Sequence, residues 1–237
     1  MAETTNALTQ RKMAKTAGYS LLLMAITAGF TIGYVMNGLI IPGDAAATYH
    51  HIKIAESLFR LGIFGWIIIL VLDVIVAWSL YEFFKQLNQH ISLLTSWFRL
   101  IYAGILAVAI ANLICVIVLV SGSEHLSSFD SEQLNELTLF FINAFDVIWS
   151  VGLIVFGLHL IGLASLMLKS VAIPKVFGIL MLIAGIGYVS LHILKLLLPD
   201  LLDKIALVET ILGIPMAIAE VGFAFWLIIK GGEMEVK

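Results

Sequence analysis

Six long apolar stretches divide the chain, and they constrain its fold more than any other feature. A helix rises about 1.5 Å per residue, so roughly 20 apolar residues cross the ~30 Å hydrocarbon core of a bilayer. The stretches lie at 17–41, 61–83, 98–121, 138–168, 175–198 and 208–229. The connections between them are short and polar, without an attached soluble domain. The sequence therefore predicts an all-α polytopic bundle of six transmembrane helices, in a single domain covering 1–237.

The composition points to the same class of protein. Of the residues, 61% are hydrophobic and 12% are charged, and the mean hydropathy of +1.07 is far above that of a soluble domain. The net charge of −3 and the lack of a run rich in Lys or Arg argue against nucleic acid as a partner. Cys115 is the only cysteine, which excludes a disulfide within the chain. The expected partner is the lipid bilayer.

The distribution of Lys and Arg predicts the orientation. With alternating loops, nine of these residues fall on the side of both termini and four on the other side. The nine are Arg11, Lys12, Lys15, Lys85, Arg99, Lys169, Lys175, Lys230 and Lys237, and the four are Lys53, Arg60, Lys195 and Lys204. Because loops rich in Lys and Arg stay in the cytoplasm, we expect a multi-pass protein of the cell membrane with both the N-terminus and the C-terminus cytoplasmic.

Ionisable residues occur in the middle of three apolar stretches. Such groups are costly in lipid and are expected to face the interior of the bundle. If a lysine marks the cytoplasmic end of each helix, Asp73, His159 and Glu220 lie at depths of about 18, 15 and 15 Å. Arg99 opens the third stretch and either runs inward as a counter-charge or snorkels to lipid headgroups. The sequence therefore predicts a central polar layer of Asp73, Arg99, His159 and Glu220.

A second polar layer is predicted nearer the outer side. Its members are Asn112, Asp146, Tyr188, His192 and Lys195. Asp146 lies about 20 Å along its helix from His159 and roughly 220° around it, so these two cannot pair. His192 and Lys195 share a face of the fifth stretch, and either of them is a partner for Asp146. An ion pair that fixes two helices is favoured over an outer polar vestibule.

Glycines indicate where helices approach closely. Gly29 and Gly33 form a G-x-x-x-G pattern, and Gly152, Gly157 and Gly162 recur along the fourth stretch. Small residues of this kind let helices pack in a bilayer. Packing within one chain is favoured over dimerisation, and a homo-oligomer stays open. Two related halves, which many transporters contain, are not evident.

Two segments resemble a known family. They are FDVIWSVGLIVFGLHLIGLASLMLKSVAIPKVFGILMLIAGIGYV and the later AEVGFAFWLIIKG. The chain resembles, over nearly its whole length, the bacterial family catalogued as domain of unknown function 4386. The resemblance implies a six-helix protein of the bacterial inner membrane, with a Glu or Asp in helix 2. The family features map onto Asp73, Arg99, Phe145-Asp146, Gly157-Leu158-His159, Pro174, Glu220, Trp226, Lys230 and Gly231. Helix 2 of the family usually carries Glu where this chain has Asp73, and the family name implies no activity.

Three classes of function are open. The favoured class is a structural, accessory or sensory membrane protein in which buried polar groups lock the bundle together. A carrier of protons or small molecules would use Asp73, His159 and Glu220 as exchangeable groups. A membrane-embedded, metal-dependent hydrolase would use the same three as ligands, although they come singly from three helices. No catalytic residue, metal ligand or cofactor is assigned, and an enzyme is the less expected class.

Overall fold

The computed structural model describes residues 2–122 and 128–231, with their side chains except at 2–7, 199, 202–204, 206, 209–212 and 214–216. Every regular element in these ranges is helical. In chain order the elements are α1 (Ala2–Ala28), a π-helical segment (Gly29–Met36), α2 (Asn37–Leu39), α3 (Ala45–Ile54), α4 (Glu56–Phe84), α5 (Gln89–Val120), α6 (Ser131–Lys169), α7 (Lys175–Leu197), a 3₁₀ turn (Pro199–Leu201) and α8 (Leu202–Ile229).

Five helices among the described residues are long and apolar enough to cross a membrane. They are Leu8–Leu39, Glu56–Phe84, Gln89–Val120, Ser131–Lys169 and Lys175–Leu197. The sixth predicted span falls in α8, where the described part contains a shorter apolar helix, Ala217–Ile229. The all-helical class and five apolar spans are therefore established, and the count of six stays a prediction.

Helices α5 and α6 begin earlier than the sequence predicts, at Gln89 and Ser131 rather than at 98 and 138. Polar caps set both starts. The Asn88 side chain accepts a backbone N–H of the first turn of α5 at 2.9 Å. Asp130 and Gln133 form a reciprocal capping box, with N–H to side-chain oxygen distances of 2.8 and 3.0 Å. Hydropathy identifies the apolar part of a helix, whereas the polar capping residues determine where the helix begins.

The chain forms two compact units, and the first contains the described residues of Met1–Leu23, Leu72–Ala103 and Ser150–Lys237. Within it, α1 runs antiparallel to the end of α8. The Arg11 guanidinium donates to the Gly231 carbonyl at 2.6 Å and to the Ile229 carbonyl at 3.0 Å. Further along α1, a Cβ on Gly18 would lie 2.8 Å from the Ala224 carbonyl oxygen. A cation therefore caps the last carbonyls of α8, where the helix dipole favours positive charge.

Glycines also bring α6 against two neighbours in this unit. A Cβ on Gly157 would lie 2.7 Å from the Gly185 carbonyl oxygen of α7, and one on Gly185 would lie 2.8 Å from the Gly157 carbonyl oxygen. A Cβ on Gly162 would overlap the hydroxyl of Thr95 on α5. Real Cβ atoms do not approach so closely, so glycine is required where these backbones meet. Two of the glycines singled out in the sequence thus pack within the chain.

The second unit comprises Met24–Val71 and Gly104–Trp149. Its core includes an aromatic cluster of Trp66, Phe145 and Trp149, with ring centroids 4.9–5.8 Å apart. The π-helical segment packs on a glycine face of α4, since a Cβ on Gly65 would overlap the Thr31 side chain. Aromatic rings and small residues hold this unit together.

The G-x-x-x-G pattern of the π-helical segment has no such role among the described residues. Added Cβ atoms on Gly29 and Gly33 would have nothing within 4 Å. The glycines at which helices of this unit do meet lie instead on α4, at Gly62 and Gly65.

Candidate functional site

Arg99 on α5 lies in the interior of the first unit and is only 1% exposed. Its Nε and Nη2 atoms donate to Oδ1 of Asp73 on α4 at 2.9 and 2.8 Å. Of the two placements that the sequence left open, the inward one is present. The guanidinium also lies over the Phe156 ring of α6, 5.3 Å from its centroid, an arrangement in which the ring face attracts the cation.

The register of α4 against α5 brings the two charges together. Ser92 and Ser96, one turn apart on α5, donate to the carbonyl oxygens of Tyr81 and Ala77, one turn apart in reverse order on α4. Both distances are 3.0 Å. The next step of this antiparallel ladder places Arg99 beside Asp73. Serine hydroxyls bonded to a neighbouring backbone thus fix the helix pair that holds the ion pair.

His159 on α6 is fully buried and completes the cluster. Its Nε2 lies 3.1 Å from Arg99 Nη1, and its Nδ1 lies 2.9 Å from the Thr95 carbonyl oxygen. A guanidinium only donates hydrogen bonds and a carbonyl only accepts them. Nε2 must therefore accept and Nδ1 must donate, which assigns the imidazole as neutral with its proton on Nδ1. A second proton would place a donor against Arg99.

Glu220 on α8 interacts electrostatically with the same ion pair. The charges of Arg99 and Asp73 both act on it. The second carboxylate oxygen of Asp73, Oδ2, is fully buried and has no hydrogen-bond partner among the described residues. The cluster thus contains one guanidinium, one neutral imidazole and two carboxyl groups. We call these four side chains, Asp73, Arg99, His159 and Glu220, the polar centre.

The polar centre is not arranged as a metal site. Among residues 2–122 and 128–231, no group of three or more His, Cys, Asp and Glu side chains is placed to hold a metal ion. Both ring nitrogens of His159 are engaged in hydrogen bonds, so neither offers a free lone pair to a cation. This geometry gives no support to the metal-dependent hydrolase.

The residues of the predicted outer layer fall in different settings. Asn112, in the second unit, donates its amide to the Val108 and Ala109 carbonyls of its own helix at 3.1 and 3.3 Å. In the first unit, the rings of Tyr188 and His192 stack at 6.0 Å. Asp146 and Lys195 both have interaction partners, and their pairing stays a prediction.

Sequence reasoning missed the backbone and hydroxyl partners of both histidines. His192 Nδ1 is hydrogen-bonded to the Ser150 hydroxyl of α6 at 2.7 Å, and His159 is oriented by the Thr95 carbonyl. The signal for the first partner was present, because Ser150 is a lone hydroxyl between apolar residues. A carbonyl has no signature in the sequence, since every residue carries one.

Comparison with known proteins assigns the chain to a family. The family model described as "Domain of unknown function (DUF4386)" matches residues 16–231. A protein of Archaeoglobus fulgidus, named "Uncharacterized protein", is 33% identical over 172 residues, which cover 73% of this chain and 85% of the relative. No solved structure matches. The family match spans all four members of the polar centre, and the chain belongs to the DUF4386 family.

Proposed function

We propose that this protein is a multi-pass protein of the cell membrane whose polar centre locks its helices into one arrangement, in a structural, accessory or sensory role. The observation that carries the proposal is that all three guanidinium nitrogens of Arg99 are engaged: two contact Asp73 on α4 and one contacts His159 on α6. Buried polar groups of this kind specify one packing over its alternatives.

The proposed topology has six spans, a single domain and both termini in the cytoplasm. The capping of α8 by Arg11 supports termini on one side, because it brings an early residue of α1 to the last carbonyls of α8. The surrounding partner is the bilayer. A homo-oligomer would have an unused packing face available at Gly29 and Gly33.

The structural role is tested by melting the protein in detergent. Arg99→Met leaves the buried Asp73 carboxylate without its partner, at an expected cost of about 3–5 kcal/mol. Glu82→Gln removes one partner of a more exposed ion pair, Glu82–Lys85 at 2.7 Å, and should cost at most about 1 kcal/mol. If the Arg99→Met variant had the same melting temperature as the Glu82→Gln control, the structural role would be contradicted.

A proton-coupled carrier is the second candidate function. It is favoured by one observation: the buried Oδ2 of Asp73 has no hydrogen-bond partner in the part of the chain that the structure describes. Glu220 is a further carboxyl on which the charges of Arg99 and Asp73 act. His159 is not an exchangeable group in this arrangement, because both its nitrogens are engaged. Proton movement would depend on the carboxyls.

The carrier is tested in proteoliposomes with an imposed pH gradient and an internal pH dye. The wild type and the Glu82→Gln control should dissipate the gradient faster than protein-free vesicles, and Glu220→Gln should not. Equal rates for wild-type and protein-free vesicles would exclude proton movement by the protein alone.

A further inference from the structure

We propose that the surface beside the contact of α1 with α8 binds an anionic phospholipid. Lys12 and Lys15 hold the phosphate of the headgroup, and the adjoining apolar side chains contact the acyl chains. The inference goes beyond the structural role and rests only on the membrane location proposed above.

The first step is the close contact that positions α1 on the end of α8. Arg11 donates to the Gly231 carbonyl oxygen at 2.6 Å, and a Cβ on Gly231 would lie 2.6 Å from the Ala14 Cβ. Further along α1, a Cβ on Gly18 would lie 2.8 Å from the Ala224 carbonyl oxygen. Arg11, Ala14 and Gly18 therefore define the face of α1 that α8 covers.

The second step identifies the cations that a ligand can reach. At about 100° per residue, Lys12 and Lys15 lie on average roughly 100° around α1 from the face that α8 covers. Both lysines are exposed, and neither forms an ion pair with a described residue. Arg11, in contrast, binds carbonyl oxygens at the end of α8. The two lysines are thus the cations that this surface offers to an anion.

The third step concerns the acid at the neighbouring end of α4. Gln10 lies on α1 about 180° from the two lysines, and its side chain donates to Gln86 at 3.2 Å. The connection that follows α4 is therefore on the opposite side of α1. Glu82 belongs to that end of α4 and is paired with Lys85 at 2.7 Å. Its carboxylate is separated from the lysines by α1 and is already bound to a cation.

The fourth step favours a phospholipid over a soluble anion. Tyr19 lies one turn beyond Lys15 and is exposed, and tyrosine is enriched at the headgroup level of bilayers. On α8, the exposed side chains Phe225 and Ile229 lie about 110° around the helix from its contact with α1. Because the helices are antiparallel, offsets of this size in the direction of increasing residue number open on the same side. The lysines, the tyrosine and the apolar side chains of α8 therefore share one surface, as headgroup and acyl chains require.

The test is native mass spectrometry of the detergent-purified protein with phosphatidylglycerol or phosphatidylcholine of the same acyl chains. The wild type should bind phosphatidylglycerol more tightly. Lys12→Gln and Lys15→Gln should each lower this preference about fivefold, the contribution of one lysine near anionic lipid, whereas Lys15→Arg should retain it. Lys169→Gln removes another exposed lysine, at the end of α6, and should leave the preference unchanged.

Four results would overturn the proposal. The first is equal affinity of the wild type for the two lipids. The second is an equal loss in Lys169→Gln, which would mean that net charge alone attracts the lipid. The third is displacement of phosphatidylglycerol by an equal concentration of glycerophosphoglycerol, its headgroup without acyl chains, which would assign the lysines to a soluble anion. The fourth is a dimer that excludes the lipid, which would assign the surface to a second copy of the chain. Each of these results is independent of the melting of Arg99→Met, so the structural role would stand without the lipid site.

Discussion

The two compact units are held together by different chemistry. In the first, Asp73, Arg99 and His159 join three helices through charge-assisted hydrogen bonds. In the second, the rings of Trp66, Phe145 and Trp149 pack together, and the buried Trp66 Nε1 has no hydrogen-bond partner among the described residues. In one unit the polar atoms specify the packing, whereas in the other shape does so. The contrast predicts that the units respond differently to isosteric substitutions.

The largest effect in the second unit is expected from Trp66→Ala. Truncating a buried Trp costs about 3–5 kcal/mol through lost contacts and the cavity left behind. Trp66→Phe keeps most of the ring, and because the indole N–H has no hydrogen-bond partner among the described residues, its loss should cost less than about 1.5 kcal/mol. Unfolding in mixed micelles measures both. A large cost for Trp66→Phe would mean that the indole N–H contributes after all, and the contrast between the units would fail.

Glycine contacts should give an intermediate effect that depends on position. Gly185→Ala places a Cβ 2.8 Å from the Gly157 carbonyl oxygen, so the helices must separate, at about 1–3 kcal/mol. Gly29→Ala, where no described residue lies within 4 Å of the added Cβ, should be neutral or slightly stabilising because Ala favours helix by about 1 kcal/mol. The same micelle unfolding compares the two. Equal destabilisation would show that Gly29 packs against something outside the described residues, such as a second copy of the chain.

A smaller effect is expected at His159 in the first unit. His159→Leu removes the acceptor of Arg99 Nη1 and should cost about 1–2 kcal/mol. His159→Gln, whose amide can both accept and donate, should recover part of this loss. If His159→Leu and His159→Gln have the same free energy of unfolding, the imidazole stabilises the unit by packing and not through its hydrogen bonds.

Much of the fold follows from the sequence, and the reason is the bilayer. Each of the five candidate spans overlaps a predicted apolar stretch, because an unpaired backbone in lipid leaves few alternatives to a helix. The inward position of Arg99 was one of two readings, since snorkelling and burial depend on the helix register. That register is fixed by Ser92 and Ser96, whose partners are backbone carbonyls that no residue type reveals.

The outer layer was harder to predict for the same reason. The stacking of Tyr188 on His192 follows from their spacing on one helix. Asn112, in contrast, donates its side-chain amide to carbonyl oxygens of its own helix, and any Asn in a helix can do the same. Spacing identifies which residues share a face, but a short polar side chain chooses between its own backbone and a neighbour according to packing.

The most direct test of the central claim is the coupling energy between Asp73 and Arg99. A double-mutant cycle with Asp73→Leu and Arg99→Met, measured by unfolding in mixed micelles, isolates the pair. The account predicts that the double variant is more stable than Arg99→Met alone, with a coupling of about 3 kcal/mol. The half-buried Glu82–Lys85 pair supplies the more solvent-accessible reference, at about 0–1 kcal/mol. A coupling for Asp73 and Arg99 no larger than this reference would contradict the claim that charge in the polar centre holds the first unit together.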